Sequence, residues 1–115
     1  MEITRLYSDE KGESHFEDIE VELEDKGNIG KLSETVKATG IIFRETDGSY
    51  DYDWHNAPRK QYIIMLGEVE IEVSDGEVRR FKSGDILLVE DVTGKGHKAK
   101  AVDGKSKKSV FVTLD

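Results

Sequence analysis

Two of the three histidines in the chain stand beside turns in similar surroundings. His55 lies in the segment DYDWHNAPRKQ, residues 51–61, just before a run of apolar residues, and His97 ends the segment GDILLVEDVTGKGH, residues 84–97, just after one. Short apolar runs of this kind are typical of buried strands. An imidazole donates and accepts hydrogen bonds and takes up a proton near neutral pH. We therefore expect both histidines to face one cavity, as part of a ligand site or a metal site.

Side chains close to His55 in the sequence offer further contacts to a ligand. Gln61 carries both a donor and an acceptor, and Arg59 can clamp a carboxylate through two parallel hydrogen bonds. Tyr52 and Trp54 can line the mouth of the cavity. Two alternatives remain open: the turn that Pro58 favours can direct Arg59 into solvent, and the two aromatic rings can pack in the core. The predicted ligand pocket comprises His55, Gln61, His97, Arg59, Trp54 and Tyr52.

The remaining reactive residue types indicate little other chemistry. His15 stands beside an acidic run, where a solvated surface position is the ordinary expectation. The chain has no cysteine, which excludes disulfides and thiolate catalysis. The sequence contains no phosphate-binding loop, no Ser-His-Asp order and no conspicuous pair of catalytic carboxylates. The sequence therefore assigns no catalytic residue.

Alternating apolar and polar residues predict that the elements holding these side chains are β-strands. Val69, Ile71 and Val73 alternate with glutamates, and Asp75-Gly76 follows as a pair that favours a tight hairpin. Roughly nine or ten such runs, each bounded by turn residues, occur along the chain, and none has a sustained helical period. Short strands at this spacing predict an all-β fold of two antiparallel sheets, a sandwich or a barrel.

Two segments in the first half of the chain are also predicted to be strands. From Phe16 to Leu23, apolar residues alternate with acidic ones, which indicates a half-buried strand with an acidic outer face. The second predicted strand runs from Thr35 to Thr46. Its candidates for the core are Val36, Ile41, Ile42 and Phe43.

Length and charge limit the partners that this chain can have. Its 115 residues, 36% hydrophobic and 37% charged, suffice for one packed domain, residues 1–115. The formal net charge of −8 makes nucleic acid and anionic lipid poor partners, since both require a basic surface. No apolar run reaches the roughly 18 residues of a membrane span, and the first residues do not resemble a signal peptide. We expect a cytoplasmic protein that binds a small molecule.

The two histidine segments resemble the two motifs of the cupin superfamily, whose members are small jelly-roll barrels. In the first motif, at residues 50–67, His55 falls on the first histidine, Ala57 on the second and Gln61 on the glutamate. In the second motif, at residues 84–97, the buried strand and the terminal histidine match. The phrases WHNAPRKQ and LLVEDVTGKGH are also similar to those of a group of small bacterial cupins. The resemblance implies an antiparallel two-sheet jelly-roll barrel with the site inside it.

The resemblance also implies a divalent metal such as manganese, iron, nickel or zinc, which cupins typically hold with three histidines and a carboxylate. Here the matching donors are His55, His97 and Gln61, because Ala57 cannot bind a metal. Metal sites generally need at least three good protein ligands, so these residues favour a weakly bound ion or none. Candidates for a replacement carboxylate are Asp51, Asp53 and Glu90.

Three functions are consistent with these observations. The first is a cupin-fold domain that binds a small polar or anionic molecule, with no metal or a weak one. The second is a metal-dependent cupin enzyme: an isomerase, a lyase or a dioxygenase. The third is a non-catalytic association module. We also expect a homodimer, because the strands that are apolar on two faces leave more hydrophobic surface than one small barrel buries.

Overall fold

The computed structural model describes residues 1–115 and contains twelve β-strands, one turn of 3-10 helix and no α-helix. No helix in it combines the length and the apolar composition needed to cross a membrane. In chain order the elements are β1 (Glu2–Ser8), β2 (Ser14–Glu20), β3 (Glu24–Asp25), the 3-10 turn (Gly27–Ile29), β4 (Lys31–Leu32), β5 (Gly40–Thr46), β6 (Asp51–His55), β7 (Gln61–Leu66), β8 (Val69–Val73), β9 (Val78–Phe81), β10 (Ile86–Val89), β11 (His97–Ala101) and β12 (Lys107–Thr113).

Most of the strands belong to two sheets that pack face to face. The first has six strands in the order β2-β1-β10-β7-β12-β5, and the second has four in the order β6-β11-β8-β9. The short strands β3 and β4 pair only with each other. The core between the two sheets contains buried residues of both. The prediction of an all-β, two-sheet, jelly-roll-like fold is confirmed.

Two features of the sheets differ from the predicted antiparallel barrel. β1 lies parallel to β10, whereas every other strand pair is antiparallel. Most of the chain separates these two strands, so no hairpin turn imposes opposite directions on them. No hydrogen-bonded strand pair joins the six-stranded sheet to the four-stranded one. The fold is therefore an open pair of sheets and not a closed barrel.

Alternation along the strands produces the core. Val69, Ile71 and Val73 point inward from β8 and are at most 4% exposed, while the glutamates between them lie on the outer face. Leu6 and Met65 meet them from the six-stranded sheet and are at most 1% exposed. Burying an aliphatic side chain of this size contributes about 1.5–3 kcal/mol to stability. The two inner faces thus hold the sheets together and form the walls of the site.

The hairpin predicted at Asp75-Gly76 is confirmed. β8 and β9 pair across this turn, and the Val73 amide donates to the Glu77 carbonyl oxygen at 3.0 Å. Gly76 has a φ of 97°, which residues with a Cβ atom adopt reluctantly. Asp75 Oδ1 accepts a hydrogen bond from the Glu77 amide at 2.8 Å. Both residues of the predicted pair therefore stabilise the turn.

The core residues predicted from Thr35 to Thr46 are wrong. Val36, Ile41, Ile42 and Phe43 are 53, 58, 40 and 77% exposed. β5 is an edge strand that pairs only with β12, and the arm that precedes it contributes nothing to the core. The apolar character of these four residues therefore does not indicate a face that is buried within a single chain.

The acidic strand predicted from Phe16 to Leu23 is shorter in the structure. β2 ends at Glu20, because its partner β1 begins at Glu2, which lies directly opposite. Leu23 lies beyond this last pair and is 38% exposed. A strand without a partner has no ladder of hydrogen bonds to continue it, so the alternation alone overestimates its length.

Candidate functional site

A cavity of about 260 Å³ lies between the two sheets. Most of its wall consists of aliphatic and aromatic side chains from both sheets. The hydroxyl, amide, imidazole and guanidinium groups on the wall belong to Arg44, Tyr50, Tyr52, His55, Asn56, Gln61 and His97. Of the predicted pocket residues, the structure brings together Tyr52, His55, Gln61 and His97, and it places Trp54 and Arg59 off the wall.

The pairing of β6 with β11 brings the two histidines together. His55 lies directly opposite His97, and their ring centroids are 4.4 Å apart. The register then shifts, so that Ala99 lies opposite Tyr52 and one extra residue of β6 forms a bulge. In a regular strand Tyr52 and His55 would point to opposite faces. Because of the bulge both face the cavity, with their rings stacked at 3.6 Å and 8°.

Each histidine is fixed through its Nδ1 atom. His55 Nδ1 lies 2.6 Å from the carbonyl oxygen of Asp53, which can only accept a hydrogen bond, so Nδ1 carries the proton. Burial lowers the pKa of His55, more than the hydrogen bond to Asp53 raises it, and the nearby His97 lowers it further. His55 is therefore neutral at neutral pH. Its Nε2 atom carries a lone pair.

A buried carboxylate that was not expected from the sequence fixes His97. Asp91 is fully buried, and its Oδ2 accepts a hydrogen bond from His97 Nδ1 at 2.5 Å. The replacement carboxylate considered in this loop, Glu90, pairs instead with Arg5 Nε at 2.5 Å on the other side of the strand. The only sequence signal for Asp91 is its place in the same loop as the histidine, and that signal does not distinguish it from Glu90.

The cation on the cavity wall is Arg44 and not the predicted Arg59. Arg44 Nε donates to Ser109 Oγ at 3.0 Å, its guanidinium lies 4.6 Å from the centre of the Phe111 ring, and it forms no salt bridge. Arg59 is exposed in the turn after Pro58 and donates to Gln61 Oε1 at 3.2 Å. The turn after Pro58 thus directs Arg59 into solvent, which is one of the two orientations that the sequence left open.

A second cation, Lys107, is buried next to Arg44 on the inner face of the six-stranded sheet. Lys107 is 5% exposed and lies opposite Thr46, while Arg44 lies opposite Ser109 on the same pair of strands. Neither Lys107 Nζ nor Thr46 Oγ1 has a hydrogen-bond partner. Burial, helped by the charge of Arg44, lowers the pKa of Lys107 to about 8. No acidic side chain compensates these two cations.

Trp54 lies outside the cavity, contrary to the prediction. Its side chain is 43% exposed, and the ammonium of Lys98 lies 5.4 Å from the ring centre on the outer face of the four-stranded sheet. The bulge in β6 turns Tyr52 and His55 inward, and Trp54 between them points outward. Tyr52 is 52% exposed, so it forms the mouth of the cavity and not its floor.

The residues on the wall do not fit a tightly held divalent metal. The available donors are the Nε2 atoms of His55 and His97 and the amide oxygen of Gln61, which already accepts from Arg59. Ala57, at the position of the second histidine of the cupin motif, lies on the wall without a donor. No group of three or more His, Cys, Asp or Glu side chains is arranged to hold an ion. Two imidazoles and one amide beside uncompensated cations, with no carboxylate on the wall itself, give a dication too few good ligands.

Comparisons with known proteins place the chain by its fold alone. No protein-family profile and no curated protein sequence matches it. Protein NMB1881 from Neisseria meningitidis has a similar structure, with a TM-score of 0.52 and 17% identity over 70% of this chain and 79% of that one. A protein of unknown function from Streptococcus pyogenes, SPY1581, gives a TM-score of 0.49 at 23% identity over 72% and 71% of the two chains. A structure described as ethanolamine utilization protein Q from Salmonella typhimurium gives 0.46 at 13% identity over 99% and 95%. The chain thus shares an all-β fold with the Neisseria protein, and that likeness carries no statement about activity.

Proposed function

We propose that the chain is a cupin-like domain that binds a small organic anion in the cavity between its sheets. The observation that carries this proposal is the uncompensated guanidinium of Arg44 on the cavity wall, with the buried ammonium of Lys107 beside it. Carboxylates bind guanidinium groups through short, charge-assisted hydrogen bonds. A carboxylate is therefore the ligand group that this part of the wall fits best.

Electrostatics support an anion over a neutral ligand. Removing a cation from water costs several kcal/mol, and a nearby opposite charge offsets that cost most effectively where water is excluded. In the free protein Lys107 lacks even a hydrogen-bond partner. A carboxylate bound to Arg44 on the cavity wall would also reduce the electrostatic penalty of Lys107 beside it, so part of its binding energy comes from a penalty that the folded chain already bears.

The rest of the wall restricts the body of the ligand. About 260 Å³ is slightly below the range of about 300–1,000 Å³ that is typical of ligand pockets, so the ligand is small. The wall around it is mainly apolar, which favours a hydrocarbon or aryl body. On the same wall, the lone pairs of His55 and His97 accept hydrogen bonds. The proposed ligand therefore has a carboxylate and, elsewhere on its body, a hydrogen-bond donor or an acidic hydrogen.

The experiment compares benzoate with benzamide, its neutral counterpart of nearly equal shape. We expect benzoate to raise the melting temperature and to bind in isothermal titration calorimetry, and benzamide to do neither. Arg44→Met should weaken benzoate about tenfold to a hundredfold, because a hydrogen bond to a charged group contributes about 1.5–3 kcal/mol. Arg80→Met is the matched control, since Arg80 is an exposed guanidinium on the four-stranded sheet, 3.2 Å from Glu70. Equal binding of both ligands, or equal losses in both variants, would refute the proposal.

A further inference from the structure

The buried pair of Asp91 and His97 is not needed to bind an anion. Asp91 Oδ2 accepts from His97 Nδ1 at 2.5 Å, and Asp91 Oδ1 has no hydrogen-bond partner in the chain. A buried carboxylate with an unsatisfied oxygen reduces stability. A negative charge behind the imidazole also weakens, to some extent, the attraction of the cavity for anions. The pair therefore needs an explanation other than anion binding.

Holding the surrounding loop in place does not explain the carboxylate either. The loop of residues 90–96 is already anchored by several hydrogen bonds that involve its backbone. Four of them join Asp91 O to the Ala57 amide at 3.2 Å, Gly94 O to Asn56 Nδ2 at 3.0 Å, the Lys95 amide to Gly12 O at 2.8 Å and Gly96 O to Ser14 Oγ at 2.6 Å. None of these bonds uses the side chain of Asp91.

The pair has the geometry of an imidazole prepared to accept a proton. The carboxylate holds the proton of His97 on Nδ1, so the lone pair is on Nε2. When Nε2 takes up a proton, the buried carboxylate stabilises the imidazolium that forms, as in catalytic dyads and triads. His97 is 8% exposed and lies on the cavity wall, so a molecule in the cavity can reach its imidazole.

The neighbouring imidazole keeps His97 available as a base. His55 lies 4.4 Å away between ring centroids, and a positive charge there would oppose protonation of His97. Burial lowers the pKa of His55, so this ring stays neutral at neutral pH. His55 therefore places no positive charge beside His97 at neutral pH.

We infer that the chain catalyses proton transfer at carbon in small α-keto carboxylates, with His97 Nε2 as the general base. This inference rests on the proposed anion site, because Arg44 must hold the carboxylate. The C–H bond next to the keto group breaks, its electron pair forms a C=C bond, and the C=O π pair moves onto oxygen to give an enolate. The proton stays on Nε2 until it returns to carbon or exchanges with solvent, so no oxidant or reductant takes part.

Arg44 on the cavity wall and Lys107 buried beside it support this step as well as binding. The enolate carries one more negative charge than the keto acid, on an oxygen next to the carboxylate. Arg44 and Lys107 are already in place when that charge develops, so little reorganisation is needed. Charge that develops near fixed cations in a site with little water is stabilised more strongly than in solution.

The test follows the exchange of hydrogen for deuterium next to the keto group by proton NMR in heavy water. The probes are pyruvate, α-ketobutyrate and phenylpyruvate, and the samples are the wild-type chain, His97→Gln and the control Arg80→Met. We expect the wild type and the control to accelerate exchange of at least one probe equally, and His97→Gln to reduce the acceleration by about a hundredfold or more. Wild-type exchange no faster than in buffer, with benzoate still bound, would overturn the inference and leave the anion site standing. Failure of benzoate to bind would overturn the proposed function itself.

Asp91 acts through His97 and is therefore a positioning residue, which requires its own readout. In Asp91→Asn the imidazolium loses its carboxylate, so we expect slower exchange and an acid limb of the pH-rate profile that moves to lower pH. A slower rate with an unmoved acid limb would assign Asp91 a structural role only. If circular dichroism shows that this variant is unfolded, the wild-type nitrogen-15 spectrum decides. A proton on His97 Nδ1 supports the inference, and a proton on Nε2 overturns it.

Discussion

At the scale of single residues, Lys107 is a buried cation that reduces stability unless something in the cavity compensates it. It is 5% exposed, and its Nζ has no hydrogen-bond partner. Arg44 beside it adds a second positive charge, which contributes to the lowered pKa. Natural chains often retain such a penalty where function needs the charge. Stability and ligand affinity should therefore respond in opposite directions when the charge is removed.

We expect Lys107→Met to raise the free energy of unfolding by about 1–3 kcal/mol near neutral pH and to weaken benzoate binding. The pKa of Lys107 is lowered from 10.5 to about 8, so the unfolded chain binds more protons between these values. The contribution of Lys107 to the free energy of unfolding of the wild type should therefore rise with pH from about 8 to about 10.5, and the variant should lack that rise. Urea unfolding across this pH range measures both effects. A less stable variant with unchanged benzoate affinity would mean that Lys107 is an ordinary structural residue.

His15 has a larger structural role than the sequence suggests. Its Nε2 and Nδ1 donate to Asp9 at 2.7 Å and to Asp75 at 2.8 Å, which joins two hairpin turns. The hydrogen bonds to Asp9 and then Asp75 raise the pKa of His15. The stabilisation is therefore fully present below the ordinary value of 6.5 and is lost as pH rises through the raised pKa.

We predict that His15→Gln removes this pH dependence. The difference in unfolding free energy between wild type and variant should be largest below about pH 6 and should shrink as pH rises through the raised pKa. The pKa of His55 is lowered, so its contribution to the free energy of unfolding decreases as pH falls below 6.5, opposite to that of His15. His55 is present in both chains, so this contribution cancels in the difference. If the difference in unfolding free energy stays constant or grows as pH rises, the hydrogen bonds of His15 to Asp9 and Asp75 do not depend on its charge, which would contradict the prediction. Thermal unfolding at several pH values provides the measurement.

At the scale of elements, the site depends on how closely the loop before β11 approaches β6. Gly96 has a φ of 74°, and a Cβ atom there would lie 2.2 Å from the carbonyl oxygen of His55. Neither atom is at the end of a flexible side chain, so the backbone would have to move. Gly96 therefore permits the close packing that sets His97 opposite His55.

We expect Gly96→Ala to destabilise the chain by about 2–4 kcal/mol, from both the left-handed φ and the steric clash. Gly76→Ala is the control, because Gly76 has a φ of 97° but no atom within 4 Å of the added Cβ, so it should cost only about 1 kcal/mol. Gly96→Ala should also abolish benzoate binding, whereas Gly76→Ala should not. Denaturant unfolding and calorimetry of both variants test this. Equal losses of unfolding free energy in the two variants would show that the close approach of the loop before β11 to β6 does not matter.

The elements that the sequence predicts well are those determined by neighbouring residues. The hairpin at Asp75-Gly76 needs only local turn chemistry, and β8 needs only its own alternation. The shared face of Tyr52 and His55 depends on a bulge that arises from pairing with another strand, so alternation predicts it wrongly. Arg44 and Asp91 escape prediction for the same reason, since β12 and the path of a loop decide where they point.

At the scale of the whole molecule, an apolar patch on the outer face of the six-stranded sheet is uncovered. Phe43 on β5 lies opposite Val110 on β12, and Val110 lies opposite Ile64 on β7. Phe43 is 77% exposed, and Leu66 at the end of β7 is 50% exposed. An apolar sheet face of this kind is typical of an interface, and a second copy of the chain would bury it against an identical surface. The homodimer expected from the sequence is thus a proposal with a specific surface.

We expect the chain to have the mass of two copies in light scattering at micromolar concentration and above. Phe43→Glu should shift it to the mass of one chain, because two charges would be buried across the two-fold axis. Val78→Glu is the control, since Val78 is 47% exposed on β9 of the other sheet. Benzoate binding should survive in both variants, since the cavity lies on the inner face. A single-chain mass for the wild type at every concentration would exclude this interface.

The central claim, that the cavity holds a small organic anion, is tested most directly by the nitrogen-15 spectrum of the histidine side chains. Benzoate is titrated into the labelled wild-type chain and into Arg44→Met. We predict that the imidazole signals of His55 and His97 shift together with one dissociation constant, that His15 stays unchanged, and that Arg44→Met weakens the response about tenfold or more. Unchanged His55 and His97 signals at saturating benzoate, or equal titration curves for the two chains, would contradict the claim.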